Sequence, residues 1–184
     1  SRPAANGPEA ATCGTADGEP MKAIAVNPVR LWQSLMDMGR IGGLPNGGCN
    51  RAALGVEDSN GRDRFVAWCR EAGCEVSFDQ IGNIFARRRG VDAARSSVAT
   101  GSHLDTQPHG GKFDGIYGVL AGLEVVRSLN DAAVRTRAPL DVIVWTNEEG
   151  VRFSPPLAGS SIFAGLADLA SVHQSRTLDG TTVL

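Results

Sequence analysis

A strand, helix, strand pattern in the second half of this chain constrains its fold more than any other feature. Residues 140–146 form a nearly continuous apolar run, which is typical of a strand buried on both faces of a parallel sheet. An amphipathic helical pattern over residues 115–130 precedes it, and a short strand over residues 97–102 leads into His103. This order predicts a βαβ unit within a three-layer αβα fold of the α/β class, with a mostly parallel sheet.

Composition and charge limit the classes of partner. The chain has 184 residues, of which 42% are apolar and 21% charged, and these values predict one globular domain. The net charge of −2 argues against a nucleic-acid surface, and we interpret the basic run at residues 87–89 as a solvated strand end. No apolar stretch has the length of a membrane span. We therefore expect neither a nucleic-acid nor a membrane partner.

The cysteines indicate a reducing compartment. Cys13, Cys49, Cys69 and Cys74 show no C-x-x-C spacing, and nothing in the chain suggests secretion. We therefore expect free thiols in a cytoplasmic protein. Cys69 lies on an apolar helical stripe and is expected in the core.

The start of the folded region is marked by composition and by a helix signal. Residues 1–26 are rich in Ala, Gly, Pro, Thr and Glu without hydrophobic periodicity, which predicts a disordered leader before a single domain over residues 27–184. Asn27 followed by Pro28 predicts a capped helix start.

Further helices and strands follow before the βαβ unit. A second helix is predicted with its cap near Ser59, followed by strands at residues 75–78 and 83–87. Trp32 and Trp68 lie on apolar helical stripes, so we expect both rings to pack in the core rather than stack on a ligand.

The helix that begins near residue 115 carries glycines at positions 115, 118 and 122. Their spacing does not fit a phosphate-binding loop, and no apolar 20-residue segment supports a membrane dimer motif. We expect these small residues to let the helix lie close to its sheet.

Two polar segments, each following a predicted strand, are candidates for a metal site. The carboxyl ends of parallel strands share one edge of a sheet, so His103 and the pair Glu148 and Glu149 are expected to converge there, with Asp114 at the helix entry. Extended alternation would place His103 and Asp105 on the same side, where the Asp105 carboxylate could orient the imidazole.

The glutamates are adjacent, so we expect them to point in different directions, one to a metal and the other to a water. Taken alone, His103 is more simply interpreted as a polar residue whose ring is hydrogen-bonded within the protein, and residues 147–150 as a solvated turn. Their conjunction with Asp114 favours a metal site, because divalent cations offset the mutual repulsion of clustered carboxylates.

Four motifs then resemble one enzyme family. They are Gly-Ser-His-Leu-Asp-Thr-Gln-Pro at 101–108, Gly-Gly-Lys-Phe-Asp-Gly-Ile-Tyr-Gly-Val-Leu-Ala-Gly at 110–122, Trp-Thr-Asn-Glu-Glu-Gly-Val-Arg-Phe at 145–153 and Gly-Ser-Ser-Ile-Phe-Ala-Gly at 159–165. They resemble the hydantoinase/carbamoylase-type amidases, which include N-carbamoyl-L-amino-acid hydrolases, β-ureidopropionases and allantoate amidohydrolases, within the M20-type metallopeptidase clan. The resemblance extends from about residue 28 onward.

The resemblance implies a di-metal, aminopeptidase-like catalytic domain with defined residue roles. His103 would bind one metal, Asp114 would bridge two metals, and Glu149 would bind the second. Glu148 would be the general base that activates a metal-bridging hydroxide, and Asp105 would orient His103. Two divalent ions are implied, zinc or manganese, with cobalt or nickel as alternatives.

The chain also departs from the family pattern in length. Family members are roughly twice as long, so residues 27–184 would form only the amino-terminal portion of the catalytic domain. Further histidine ligands, the lid and the dimer-forming domain are expected past Leu184, and the intact enzyme is expected to be a homodimer. Neither His109 nor His173 matches a ligand position, and no substrate-binding residue is assigned.

The resulting hypothesis is a metal-dependent hydrolase of C–N bonds in N-carbamoyl amino acids or related small ureido or amide compounds. An M20-type aminopeptidase or N-acyl-amino-acid deacylase is the chemical alternative, and an inactive truncated fragment is the non-enzymatic one. For the isolated chain we expect weak metal binding without turnover.

Overall fold

The computed structural model describes residues 24–177 and 180–183 and confirms the predicted order of helices and strands as far as the strand that ends near residue 146. The predicted leader lies largely outside these residues, as does Cys13. The helices are α1 (Pro28–Arg40), α2 (Val56–Glu71), α3 (Ile116–Asp131), α4 (Ala158–Phe163) and α5 (Leu169–His173). The strands are β1 (Glu75–Phe78), β2 (Ile84–Arg88), β3 (Val98–His103) and β4 (Leu140–Trp145).

The start of α1 agrees with the sequence prediction. The side chain of Asn27 accepts a hydrogen bond from the backbone N–H of Arg30 at 3.0 Å, and Pro28 occupies the first turn, where a missing N–H costs nothing. The backbone N–H of Asn27 also donates to Glu124 of α3 at 3.1 Å. The cap therefore ties the start of α1 to the helix on which it packs.

The predicted start of α2 near Ser59 is wrong. The helix begins at Val56 after Gly55, and it has no side-chain cap. Its first turn contains Asp58, whose carboxylate accepts from the backbone N–H of Leu54 at 2.9 Å. Acidic groups in the first turn interact favourably with the helix dipole, so this end is stabilised without a serine cap.

The sheet has the strand order β1-β2-β4-β3. Strands β3 and β4 pair in parallel through the α3 crossover, with His103 opposite Trp145, as the βαβ prediction requires. Strands β1 and β2 pair antiparallel, and so do β2 and β4. The α/β class is confirmed, but the described sheet is mixed rather than mostly parallel, because a short turn over residues 79–83 joins β1 directly to β2.

The core lies between one face of the sheet and the first three helices. Ile84, Val142 and Val144 point to this face and pack with buried residues of α3 such as Val119 and Leu123. On the opposite face, the rings of Phe85 and Trp145 contact Phe163 of α4 at centroid distances of 5.7 and 5.2 Å. Helices therefore lie on both faces, although the second layer is thin.

The close approach of α3 to the sheet confirms the interpretation of its glycines. A Cβ atom at Gly118 would lie 2.9 Å from Cβ of Ser102. A Cβ atom at Gly122 would lie 2.9 Å from Cγ2 of Thr100 and 3.0 Å from Cγ1 of Val142. Larger residues would push the helix away from β3 and β4, so these positions favour glycine for steric reasons.

Two predictions about aromatic and thiol side chains have different outcomes. Cys69 is buried in the core as expected, and burial raises the pKa of its thiol. Trp68 is half-buried against the same core. Trp32 is 55% exposed and packs on Phe113 at a centroid distance of 5.8 Å, so its predicted core position is wrong.

Among the described residues, no helix has the length and apolarity needed to cross a membrane.

Candidate metal centre

His103 ends β3 with its ring almost fully buried. Its Nδ1 atom lies 2.8 Å from the backbone carbonyl oxygen of Asp105. Since a carbonyl oxygen can only accept, Nδ1 carries the proton and donates this hydrogen bond. The lone pair of the imidazole is therefore on Nε2, which faces the neighbouring carboxylates, as a metal-ligating histidine requires.

The segment after β4 is a turn that contains two residues in the left-handed backbone conformation. Asn147 has φ +53° and Gly150 has φ +64°. The side-chain amide of Asn147 donates to the carbonyl of Phe153 at 2.7 Å, which fixes the turn from within. Asparagine tolerates the left-handed conformation better than most residues, so the residue type at position 147 favours this turn.

This turn overturns the expectation that the two glutamates point in different directions. Ligand atoms of His103, Glu148 and Glu149 all lie within 4.8 Å of one another. The alternation assumed from the sequence applies to an extended strand, whereas these residues lie in a turn. Both carboxylates can therefore reach the same point in front of the imidazole.

Individual distances define the rest of the site. Nε2 of His103 lies 3.4 Å from Oε2 of Glu148 and 3.9 Å from Oδ1 of Asp114. The Asp114 side chain is 68% exposed and is not among the three residues that converge within 4.8 Å. Asp114 is thus at the rim of the cluster, near enough to approach it through a side-chain rotation.

Gln107 is a site residue that the sequence reasoning missed. Its side-chain amide donates to Oε2 of Glu149 at 2.9 Å, which holds that carboxylate toward His103. Gln107 lies within the motif at 101–108, two residues after Asp105, and this proximity to Asp105 is the only sequence feature that could have indicated a place in the site.

Asp105 contacts both polar segments, but not in the way the sequence suggested. Its backbone carbonyl, rather than its carboxylate, binds Nδ1 of His103, and the nearer carboxylate oxygen is 3.7 Å from that atom. The carboxylate instead accepts the backbone N–H groups of Glu148 at 3.4 Å and Glu149 at 3.2 Å. One buried residue therefore connects the end of β3 to the turn after β4.

The environment of Asp105 also affects its protonation. Burial raises the pKa of the Asp105 carboxyl, and the nearby His103 and the backbone amides of the 148–149 turn only partly oppose this effect.

Gly115 brings α3 up against His103. It has φ +67°, and a Cβ atom there would lie 2.5 Å from Cε1 and Nδ1 of the imidazole. Both the backbone conformation and the lack of space favour glycine. Because Gly115 follows Asp114, the same constraint determines where Asp114 enters the site.

A buried arginine supports the loop that follows His103. Arg51 is fully buried, and its Nε donates to the carbonyl of Leu104 at 2.6 Å. Its Nη1 donates to the carbonyl of Ile41 at 2.6 Å, and its backbone N–H donates to the hydroxyl of Thr106 at 2.8 Å. Arg51 thereby joins the end of α1 to residues 104–106. Its burial could not be read from a single arginine in a loop-like segment.

A second polar network lies beneath the turn that bears the glutamates. Asn83 accepts from the backbone N–H of Thr146 at 2.8 Å and donates to the carbonyl of Gly159 at 3.0 Å. Arg62 of α2 donates to the hydroxyl of Thr146 at 2.7 Å. These contacts fix the end of β4 immediately before the metal-binding candidates.

The remaining histidines lie away from the cluster. His109 is exposed, with φ +58°, in the loop before α3, consistent with a loop residue rather than a ligand. His173 is in α5, with Nε2 3.3 Å from the carbonyl of Gln80. Neither belongs to a group of potential metal ligands in the described part of the chain.

The residues fit a divalent metal ion. The cluster offers one neutral imidazole nitrogen and oxygens from two carboxylates, and carboxylates of like charge are stabilised together by a cation. Zinc and manganese both accept nitrogen and oxygen donors of this kind.

The fold matches that of an M20-type catalytic domain, of which the chain contains part. Residues 99–180 match the family model described as Peptidase family M20/M25/M40.

More specific similarity is found in individual relatives. The chain is 48% identical over 155 residues to the N-carbamoyl-L-amino-acid amidohydrolase of Rhizobium meliloti, covering 84% of this chain and 37% of that protein. It is 30% identical over 161 residues to the ureidoglycolate hydrolase of Arabidopsis thaliana, covering 88% of this chain and 34% of that protein. These relatives are named as hydrolases, which agrees with the enzyme class predicted from the sequence.

A solved structure gives the same result. The hydantoinase/carbamoylase family amidase of Burkholderia ambifaria superposes with a TM-score of 0.86 at 54% identity, over 87% of this chain and 39% of that one. The predicted resemblance to hydantoinase/carbamoylase-type amidases is therefore confirmed. The chain spans less than two fifths of the length of each of these three proteins.

Proposed function

We propose that this chain forms part of a metal-dependent hydrolase that cleaves C–N bonds in N-carbamoyl amino acids or related ureido compounds. The observation that carries the proposal is the convergence of His103, Glu148 and Glu149 within 4.8 Å. The names of the relatives support the substrate class, since they act on carbamoyl amino acids and ureidoglycolate.

Each residue of the cluster would have its own role. His103 would bind a metal through Nε2, because Nδ1 is occupied by the Asp105 carbonyl. Glu149, held by Gln107, would be a second ligand, and Asp114 would join from the rim as a bridge between two ions. A bound divalent ion would lower the pKa of a water and polarise the substrate carbonyl.

Glu148 would act as the general base. Its Oε2 lies 3.4 Å from the ligating nitrogen of His103, close enough to contact a water that shares the site. It would take a proton from the attacking water and transfer it to the departing nitrogen, so that the C–N bond breaks with a neutral amine as leaving group. Asp105 would hold Glu148 in place through the backbone of the turn.

The wider assignments follow from the same proposal. We infer two divalent ions per intact active site, zinc or manganese, with cobalt or nickel able to replace them, and a homodimeric intact enzyme. Residues 27–184 would be the amino-terminal portion of its catalytic domain. Cys49, Cys69 and Cys74 are free thiols, which supports a cytoplasmic location.

The direct test is Glu148→Gln in an intact enzyme that contains these residues, assayed with N-carbamoyl amino acids. General-base loss is expected to lower kcat by about 10²–10⁴-fold. Metal content, measured by atomic absorption, should stay unchanged. Glu57→Gln, at an exposed position in the first turn of α2, is the matched control and should retain activity. Near-normal turnover of Glu148→Gln with its metal bound would refute the assigned role.

A further inference from the structure

A cavity lined in part by charged side chains lies at the end of the sheet opposite to the metal centre. It has a volume of about 840 Å³ and is bordered by the ends of α2 and α3, the start of β1 and the end of β2. Four arginines line it, and Glu75 is the one carboxylate among the described residues that line it. We call this cavity the arginine cleft; its arginines are Arg87, Arg88, Arg89 and Arg135.

Two of the four arginines have carboxylate partners. Arg87 donates two hydrogen bonds of 2.7 Å to the carboxylate of Asp141. Arg89 forms an ion pair with Glu75, and both side chains are mostly exposed. The charges of these two arginines are therefore largely offset by their partners.

The other two arginines are not offset in this way. Arg88 is half-buried, and each nitrogen of its guanidinium donates to a neutral acceptor. The acceptors are Oδ1 of Asn130 at 2.9 Å, the hydroxyl of Thr136 at 3.3 Å and the carbonyl of Val134 at 2.5 Å, which leaves one further N–H on each terminal nitrogen for a ligand. Within residues 24–177 and 180–183, no carboxylate forms an ion pair with Arg88, and exposed Arg135 has no polar partner. Two positive charges therefore face the cleft in a chain whose net charge is −2.

The geometry suits a rigid, multiply charged anion. The hydrogen bonds of Arg88 fix its guanidinium before any ligand arrives, which lowers the entropy lost on binding. Planar guanidinium groups match the oxygens of phosphate in pairs. The volume lies within the range of small-molecule sites, about 300–1,000 Å³.

We propose that the arginine cleft binds a small molecule through a di- or triphosphate group. Arg88 and Arg135 supply the charge that the anion neutralises, and Asn130, which donates to the carbonyl of Ala72 and accepts from Arg88, holds the Arg88 guanidinium in place. Strand β4 runs from Leu140 near the cleft to Trp145 near the metal centre, a separation of about 17 Å at roughly 3.3 Å per residue. The ligand would thus not contact a substrate at the metal centre, and the inference does not depend on the hydrolase proposal.

The test is isothermal titration calorimetry of this chain with inorganic pyrophosphate at low ionic strength. We expect one binding site, with the affinity lowered more than about tenfold in the double variant Arg88→Gln/Arg135→Gln. The matched control is Arg40→Gln/Arg64→Gln, which removes the same charge from α1 and α2 and should leave the affinity within about twofold. Circular dichroism confirms that each variant is folded.

Several results would overturn the proposal. They are no heat of binding with the wild-type chain, equal losses in the two double variants, or ATP binding that pyrophosphate does not displace. Displacement of ATP by pyrophosphate would support recognition of the phosphates. If the double variant does not fold, Arg135→Gln alone, at an exposed position, must weaken pyrophosphate binding while Arg64→Gln does not.

Discussion

The two ends of strand β4 differ in the sign of the charge that surrounds them. Beyond Trp145, carboxylates surround one imidazole, and a Cβ atom at Gly115 or Gly150 would collide with its neighbours. Near Leu140, arginines surround an open cavity. Of the two glycines on its border, a Cβ atom at Gly73 would meet nothing within 4 Å, whereas one at Gly90 would lie 2.5 Å from the carbonyl carbon of Ala138. The comparison shows how one sheet can place clustered carboxylates at one end and clustered arginines at the other.

The largest expected effect is a steric one, at one glycine from each end. Gly115 and Gly73 both have positive φ, +67° and +80°, so alanine is strained at either position. At Gly115 the added Cβ would also collide with His103, whereas at Gly73 it meets nothing within 4 Å. We expect Gly115→Ala to lower the free energy of unfolding by about 2–4 kcal/mol. Gly73→Ala should lower it by only about 1 kcal/mol.

Urea denaturation of both variants measures this difference. Gly111→Ala is the control, since its φ is ordinary and its Cβ would meet nothing within 4 Å. Equal destabilisation by Gly115→Ala and Gly73→Ala would show that backbone strain, and not contact with the imidazole, is the constraint at the metal-centre end.

Metal binding by this chain should depend more on the converging residues His103, Glu148 and Glu149 than on Asp114 beside them. We expect His103→Ala to weaken Mn²⁺ binding more than about tenfold, or about 1.4 kcal/mol, because the imidazole is a member of the converging group. In this chain Asp114→Ala should weaken it less than about threefold, since this carboxylate is 68% exposed and outside the group, and its proposed bridging role belongs to the two-metal site of the intact enzyme. Electron paramagnetic resonance of free Mn²⁺ gives both affinities. A loss with Asp114→Ala as large as that with His103→Ala would show that Asp114 closes onto the ion.

The smallest expected effect is a pH-dependent one at the arginine-cleft end. Burial tends to raise the pKa of Asp141, but hydrogen bonds from Arg87 and Ser97 outweigh it and hold the pKa below its usual value. A carboxyl with a lowered folded-state pKa stabilises the protein above its unfolded pKa of about 3.9, and this stabilisation is lost as the pH falls through the folded value. Arg87→Gln should therefore cost up to about 1 kcal/mol at pH 7 and less near pH 2.

Urea unfolding at several pH values tests this dependence. Arg89→Gln is the comparison variant, because the pair of Arg89 with Glu75 is exposed on both sides and is expected to contribute less than about 0.5 kcal/mol. A difference between wild type and Arg87→Gln that stays constant down to pH 2 would contradict the role given to Asp141.

Local pattern was sufficient for the regular elements. The Asn27 cap and Pro28 start a helix through their own chemistry, and the apolar run of β4 has the composition of a buried strand. The predicted start of α2 near Ser59 is too late because the cap preference of serine does not reveal the hydrogen bond from the Leu54 backbone to Asp58, which lies in a helix that already begins at Val56. The core position predicted for Trp32 is wrong because a helical stripe of apolar residues does not reveal which of its positions the neighbouring elements cover.

The sequence by itself determined the βαβ unit and the set of polar residues that follow its two strands, since both depend on residue type and spacing. Only the tertiary structure decided how these residues meet. The turn at Asn147 brings both Glu148 and Glu149 to His103, and the Asp105 carboxylate binds the backbone of that turn rather than the imidazole. Such contacts arise between segments more than forty residues apart, where packing and backbone direction, rather than local periodicity, determine which atoms come within hydrogen-bonding distance.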